Sequence, residues 1–237
     1  MSVPIPAFCV AGTLPFIDGE AIVLDKPAGL PVTQPRKGGR SLDDYLPQLR
    51  FGFHKLPLAV HRLDQDTSGC LLLARHAKAA KRFGAAFESG EVEKTYLGIV
   101  EGELGEEHGT IDIALGKTST AEAGWRIVPD AAGKRAVTHW KRIDAAHGRT
   151  LVEFRPETGR THQIRVHALH GLGKALLGDP FYGAGYPSGL MLHAAGLVLS
   201  RGSKPPIVAS APMPKRFIDL GFGAAGQGAS SEGLADA

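Results

Sequence analysis

The 237-residue sequence has almost no cysteine, no long apolar run and no strong excess of charge of either sign. Its two cysteines, Cys9 and Cys70, lie far apart and form no CxxC pair. That argues against a disulfide framework or a cysteine-held zinc, and for a reducing compartment, the cytoplasm. No stretch approaches the ~20 apolar residues that a membrane-spanning helix needs. The opening residues, MSVPIPAFCVAGTLPF, carry no basic segment and are interrupted by prolines, unlike a secretory signal. The chain therefore reads as soluble. Lys and Arg number 27 against 24 Asp and Glu, a net charge of +3, which permits a polyanionic partner without requiring one. With 43% hydrophobic residues the chain can fill a packed core. Its length suits one large domain, or two small lobes sharing a core.

What is present is a series of short apolar segments ending in polar clusters. EAIVL (20–24) reads as a strand that DKPAG stops with a tight turn. Residues 31–40 read as an exposed basic loop. Ser41 followed by Asp43 and Asp44 marks a helix start, with Leu42, Tyr45, Leu46 and Leu49 as its inward stripe. GCLLLA (69–74) predicts a buried strand. Residues 76–89 predict a helix packed through Ala80, Phe83 and Phe87 and closed by Gly90. Strands are expected at 93–100, 110–114, 125–128, 136–143 and 150–154, with a final one within 190–199. A short helix, capped by Thr161, is expected over 162–170. The tail from 221 to 237 is rich in small residues and reads as disordered. The pattern implies an α+β fold on a largely antiparallel sheet.

Four polar clusters sit where apolar segments end: DKPAGLPV (25–32), HRLDQDTSG (61–69), KTYL (94–97) and RPETGRTHQIRVH (155–167). Loops mounted on rigid strands are where binding and catalytic groups usually sit. Asp64, beside apolar surface, needs a cation to stay ionised. Arg165, on the early turns of the 162–170 helix, is the candidate partner for a carboxylate nucleophile.

HRLDQDTSG with the following CLLLAR resembles the signature of the RluA-type pseudouridine synthases. DKPAGLPV, KTYLGIVEG, ETGRTHQIRVH, GDPFYG (178–183) and LHAAGL (192–197) are similar to further motifs of that family, in the same order, from about Ile22 to Phe217. The resemblance implies an RNA uridine isomerase with a curved, mostly antiparallel mixed sheet, flanking helices and a central RNA-binding cleft. It implies Asp64 as nucleophile, Tyr96 packed against the target base and Arg165 as partner of the aspartate. Arg62 would enter the RNA stack, with His61, Arg160 and His162 as further RNA contacts.

No cofactor or metal is implied, because the reaction oxidises nothing and loses no group. The partner would be structured RNA, a ribosomal or transfer RNA stem-loop; neither a membrane nor an obligatory protein partner is expected. A flipped-out uridine costs a few kcal/mol of stacking, to be offset by phosphate contacts. Arg36, Lys37, Arg40, Lys78, Lys81 and Arg82 are candidates. The first motif starts near Ile22, leaving no room for the small N-terminal RNA-binding domain of many relatives, so residues 1–220 form one catalytic domain.

Three rivals remain. A metal hydrolase would use His162, His167 and His170, but His162 is rotated away from His167 on a helix and no carboxylate follows at a suitable turn. A serine hydrolase at Ser68 lacks the GxSxG elbow. A non-catalytic RNA-binding module would have no use for Asp64, Tyr96 and Arg165.

Overall fold

The unbroken apolar run at 69–74 and the other strand-like segments assemble into one large sheet in a computed structural model that describes residues 6–9, 11–36, 38–120 and 124–223. The strands are β1 (Phe16–Ile17), β2 (Ala21–Lys26), β3 (Leu58–Ala59), β4 (Ser68–Ala74), β5 (Glu93–Glu101), β6 (His108–Asp112), β7 (Leu115–Thr120), β8 (Gly124–Pro129), β9 (Val137–Ala146), β10 (Arg149–Pro156), β11 (Leu192–Arg201) and β12 (Lys204–Ser210). The helices are α1 (Ala77–Ser89), α2 (Gln163–Gly171) and α3 (Lys215–Ile218).

The main sheet runs β1-β2-β4-β11-β5-β10-β9-β6, with β3 added to β4 and β12 to β11; β7 and β8 form a separate hairpin. Among the described residues only β4 and β11 pair in parallel. The class is thus α+β with a mixed, mostly antiparallel sheet, as expected. Register shifts in β10 and β11 bend the strands locally.

Alternation along β4 sets the two faces. Cys70, Leu72 and Ala74 pack with Ala79, Phe83 and Ala86 of α1. Leu71 and Leu73 face the other way, with Leu24, Leu42, Leu49 and Leu63. Tyr96 of β5 joins this second face and a neighbouring cluster built on Phe154, Ile164 and Leu192. Phe222 is buried beside Phe217, so the packed chain runs past residue 220. The rest of the tail expected to be disordered, from 224, lies outside the described residues.

Two glycines make close approaches that no other residue allows. Gly69 has φ +106, and a Cβ there would lie 2.2 Å from the carbonyl oxygen of Ala194, at the parallel β4–β11 contact. Gly178 has φ +77, and its Cβ would lie 2.0 Å from the oxygen of Gly189. Each permits backbone contact and a left-handed conformation at once.

The helix expected to start at Ser41 is present over Leu42–Arg50, as a 3-10 helix with Pro47 inside it. Ser41 still starts it, its backbone N–H donating to Asp44, and Leu42 and Leu49 are buried as expected. The strand within 190–199 is not the last: β12 follows and pairs with β11. Pro205 and Pro206 disguise it, being tolerable only where one side of a strand is unpaired.

Candidate active site

Asp64 lies in the turn that leads from β3 into β4, closed by Thr67 N–H donating to the Asp64 carbonyl at 3.1 Å. The turn is braced from below by the DKPAG segment. Lys26, at the end of β2, is fully buried and donates from Nζ to the carbonyls of Pro27 (2.9 Å), Leu30 (2.8 Å) and Gln65 (3.0 Å). All three ammonium protons are thereby used. Burial brings its pKa down to about 8 against the pull of Asp66 and Asp64, which leaves it charged at neutral pH. The N–H of Gly29 donates to the same Gln65 carbonyl. The first motif is therefore a brace for the second.

Arg165, 101 residues further on, reaches this turn from the first turn of α2. Its Nη1 lies 3.3 Å from Asp64 Oδ2. Its Nε and Nη2 each donate at 2.7 Å to the two oxygens of Asp179. Asp179 has no exposed surface, and its Oδ1 also accepts from the backbone N–H of Phe181 and Tyr182. Burial pulls the Arg165 pKa down, but Asp179 and then Asp64 outweigh it. One edge of the guanidinium is thus clamped from behind, and the free nitrogen faces Asp64. A bidentate arginine–carboxylate pair carries geometric precision as well as energy.

Tyr96 completes the pocket. Its ring packs beside Leu192 and Phe154, and burial, followed by the Asp64 charge, raises its phenol pKa. It stays protonated. Asp64, Tyr96, His162, Arg165 and Leu192 line a cavity of about 100 Å³, with Arg62 and Arg160 at its exposed rim. That is the size class of a single small ring. A larger cavity of about 490 Å³ opens beside Ser68 and Arg216. It holds none of Asp64, Tyr96 and Arg165, and the chemistry is concentrated in the smaller one.

The remaining expected residues divide. His162 is at the site, with Nε2 at 3.7 Å from Asp64 Oδ2. It, rather than Thr161, precedes α2 as the cap residue, with φ +54 and no side-chain capping bond. Gln163 does the local tying instead, its Oε1 accepting from Thr158 Oγ1 and Arg160 N–H. Arg160 donates from Nε to the Arg135 carbonyl.

His61 is held within the protein: its ring stacks on Phe87 at 4.1 Å and its Nε2 accepts the N–H of Leu72. Burial drives its pKa down to about 3, and that of His193 to about 4. In both, the folded pKa lies below the ordinary 6.5, so the unfolded chain takes up protons first. Stability should be intact above about pH 6.5 and fall as pH drops toward 4, by on the order of 1 kcal/mol per pH unit per histidine. Urea unfolding at pH 7.5 and pH 5 measures this, and His61→Gln should flatten the dependence.

Among the phosphate-contact candidates, Arg36 and Arg40 are exposed, and Lys37 lies outside the described residues. Lys78, Lys81 and Arg82 belong to α1, which covers the opposite sheet face from Tyr96, and Arg82 is paired with Glu20 at 2.7 Å.

Both hydrolase rivals lose their key groups. His167 spends both ring nitrogens, on Thr138 Oγ1 and the Ile113 carbonyl. Ser68 does meet His193 Nδ1 at 2.8 Å, but its oxygen also takes a hydrogen bond from Arg216 and is buried. Among the described residues no group of three or more His, Cys, Asp or Glu could hold a metal ion, and no helix is long and apolar enough to cross a membrane.

A model of the RNA pseudouridylate synthase family matches residues 20–170, from β2 into α2, which takes in the motifs around Lys26, Asp64, Tyr96 and Arg165 and leaves out those around Asp179 and Leu192. The chain belongs to that family. It is 56% identical over 210 residues to an uncharacterised RNA pseudouridine synthase of Zymomonas mobilis, covering 87% of this chain and 96% of that protein. It is 38% identical over 176 residues to the ribosomal large subunit pseudouridine synthase D of the same organism, covering 71% of this chain and 55% of that one. The chain thus spans nearly all of one relative and about half of the other. The structure superposes on human RNA pseudouridylate synthase domain containing 4 with a TM-score of 0.72 and 25% identity, over 87% of this chain and 90% of the human one. This synthase is therefore an RNA uridine isomerase with the family fold.

Asp179, Tyr182 and Lys26 are the site residues that the sequence reading did not single out. Each stands in a motif that it did quote, GDPFYG or DKPAGLPV. What it lacked was the pairing across 14 residues between Asp179 and Arg165 and across 39 between Lys26 and Gln65.

Proposed function

We propose that this synthase isomerises uridines in structured ribosomal or transfer RNA, at stem-loops, in the cytoplasm, with Asp64 as nucleophile on a single catalytic domain. The reaction breaks the bond from N1 of uracil to C1′ of ribose, turns the base, and joins C5 to C1′. The proton on C5 is released and N1 gains one, so the product is an isomer. The protein has to supply a nucleophile, a pocket that keeps the detached ring and a fixed charge near it.

Asp64 with its free arginine nitrogen at 3.3 Å, at the wall of a ring-sized slot, is the observation that carries this reading. Arg165 keeps the carboxylate ionised beside apolar surface, and Asp179 keeps Arg165 in place. Tyr96 forms a flat wall for the base. Arg62, exposed at the rim, is suited to fill the gap that the extruded uridine leaves in its stack, since a guanidinium plane can replace a base in stacking. Arg160 and His162 border the same slot, and Arg36 and Arg40 are available for phosphates.

Chemical mapping of pseudouridine in total RNA, from cells with and without the gene, tests the reading. One or a few ribosomal or transfer RNA positions should lose the modification and regain it on complementation. Unchanged maps would overturn it.

A further inference from the structure

The contacts around Asp64 are one-sided. Oδ2 has Arg165 Nη1 at 3.3 Å and His162 Nε2 at 3.7 Å, while no hydrogen bond reaches Oδ1 among the described residues. What His162 offers to Oδ2 depends on which ring nitrogen carries its proton, and its other contact answers that. The N–H of Ile127 in β8 donates to the Tyr182 oxygen at 3.1 Å. The same oxygen lies 2.9 Å from His162 Nδ1.

Donating its own proton to Nδ1 satisfies the Tyr182 hydroxyl; the opposite arrangement would leave that proton without an acceptor among the described residues. Nδ1 is then the acceptor and Nε2 bears the hydrogen. Electrostatics agree, because Nε2–H toward a carboxylate is attractive and a bare lone pair there is repulsive. Burial holds the ring neutral against the pull of Asp64, packed edge-to-face by Trp125, Phe181 and Tyr182. The φ of +54 at His162 is a strained conformation for a residue with a side chain, of the kind that persists when surrounding contacts over-determine it.

We propose that His162 is a positioning residue for Asp64. Locked as the Nε2–H tautomer by Tyr182, it steadies Oδ2 together with Arg165 and leaves Oδ1 as the oxygen presented to the uridine. The chain of contacts from Ile127 through Tyr182 and His162 wires the β7–β8 hairpin to the nucleophile. At 3.7 Å the last link is longer than a hydrogen bond, and it is of the kind that tightens once substrate is bound. The proposal rests on Asp64 being the nucleophile of an RNA isomerase.

The tautomer is read directly by NMR of the full-length protein with 15N-labelled histidine, in the absence of RNA. His162 should be protonated at Nε2 in the wild type, and Tyr182→Phe should shift it toward a mixture. In single-turnover assays at saturating concentrations of a mapped RNA, His162→Phe and Tyr182→Phe should lower the rate by about tenfold to ~10²-fold. His162→Gln, whose amide NH2 reaches the position of Nε2, should recover most of the loss. A wild-type proton on Nδ1, or wild-type rates in both Phe variants, would overturn the wiring. If His162→Phe does not fold, the Tyr182→Phe spectrum and its single-turnover rate still decide. A wild type that makes no pseudouridine in any cellular RNA would instead overturn the assigned function, and the RNA-free spectrum would still decide the tautomer.

Discussion

Asp64→Asn should abolish pseudouridine formation, by at least about 10³-fold, while leaving the RNA bound within a few-fold of wild type. The substitution keeps the shape of the side chain and removes its charge, so the cavity stays open. Arg165 does not collapse into the gap, because Asp179 holds two of its nitrogens at 2.7 Å. The turn itself is held by Lys26 and by backbone hydrogen bonds that do not involve the Asp64 carboxylate. On the proposed reading what is lost is the nucleophile, and the pocket offers no substitute: Tyr96 is a half-buried phenol kept protonated and His162 is neutral. Pseudouridine mapping and a gel-shift titration on the same RNA separate the two effects. A non-catalytic RNA-binding module would show equal, absent modification for both proteins, and a residual rate near wild type would remove Asp64 from the mechanism.

Asp179→Ala should cost the fold about 3–5 kcal/mol and the reaction most of its rate. Breaking a buried pair from one side leaves an uncompensated charge, and that penalty exceeds the net value of the pair. Arg165 is 3% exposed at its side chain and Asp179 not at all. The N–H groups of Phe181 and Tyr182 lose their acceptor in the same step. Asp64, the other carboxylate paired with Arg165 among the described residues, would be drawn into a closer pair and away from the position proposed for catalysis. Chemical unfolding measures the first effect. The double variant Asp179→Ala with Arg165→Met should be less destabilised than the sum of the singles, since it removes both charges. Simple additivity would show that the two side chains act independently.

Most strands and both longer helices were legible because their cause is local. The apolar run of β4, the amphipathic pattern of α1 with its Gly90 stop, and the strand-turn pattern around 93–100 and 150–154 report burial and turn chemistry through neighbouring residues alone. Where the reading failed, the competing effect was also specific. The paired prolines of β12 concealed an edge strand. Thr161 looks like a cap by composition, but the cap position fell one residue later, on a histidine held by tertiary contacts. The stacking of His61 on Phe87 was not legible either, because it joins residues 26 positions apart.

The order and content of the motifs determined, without any coordinates, the family resemblance, and they singled out Asp64, Tyr96 and Arg165 as candidates, because reaction chemistry constrains residue type. Tertiary structure alone decided the partnerships. Asp179 behind Arg165, Lys26 beneath Gln65 and Tyr182 against His162 join residues 14, 39 and 20 positions apart. Hydrogen bonds and ion pairs act over a few ångströms in space, so which charges share a buried site follows from how β2, β4, α2 and the loop before β11 converge, and no spacing along the chain encodes that.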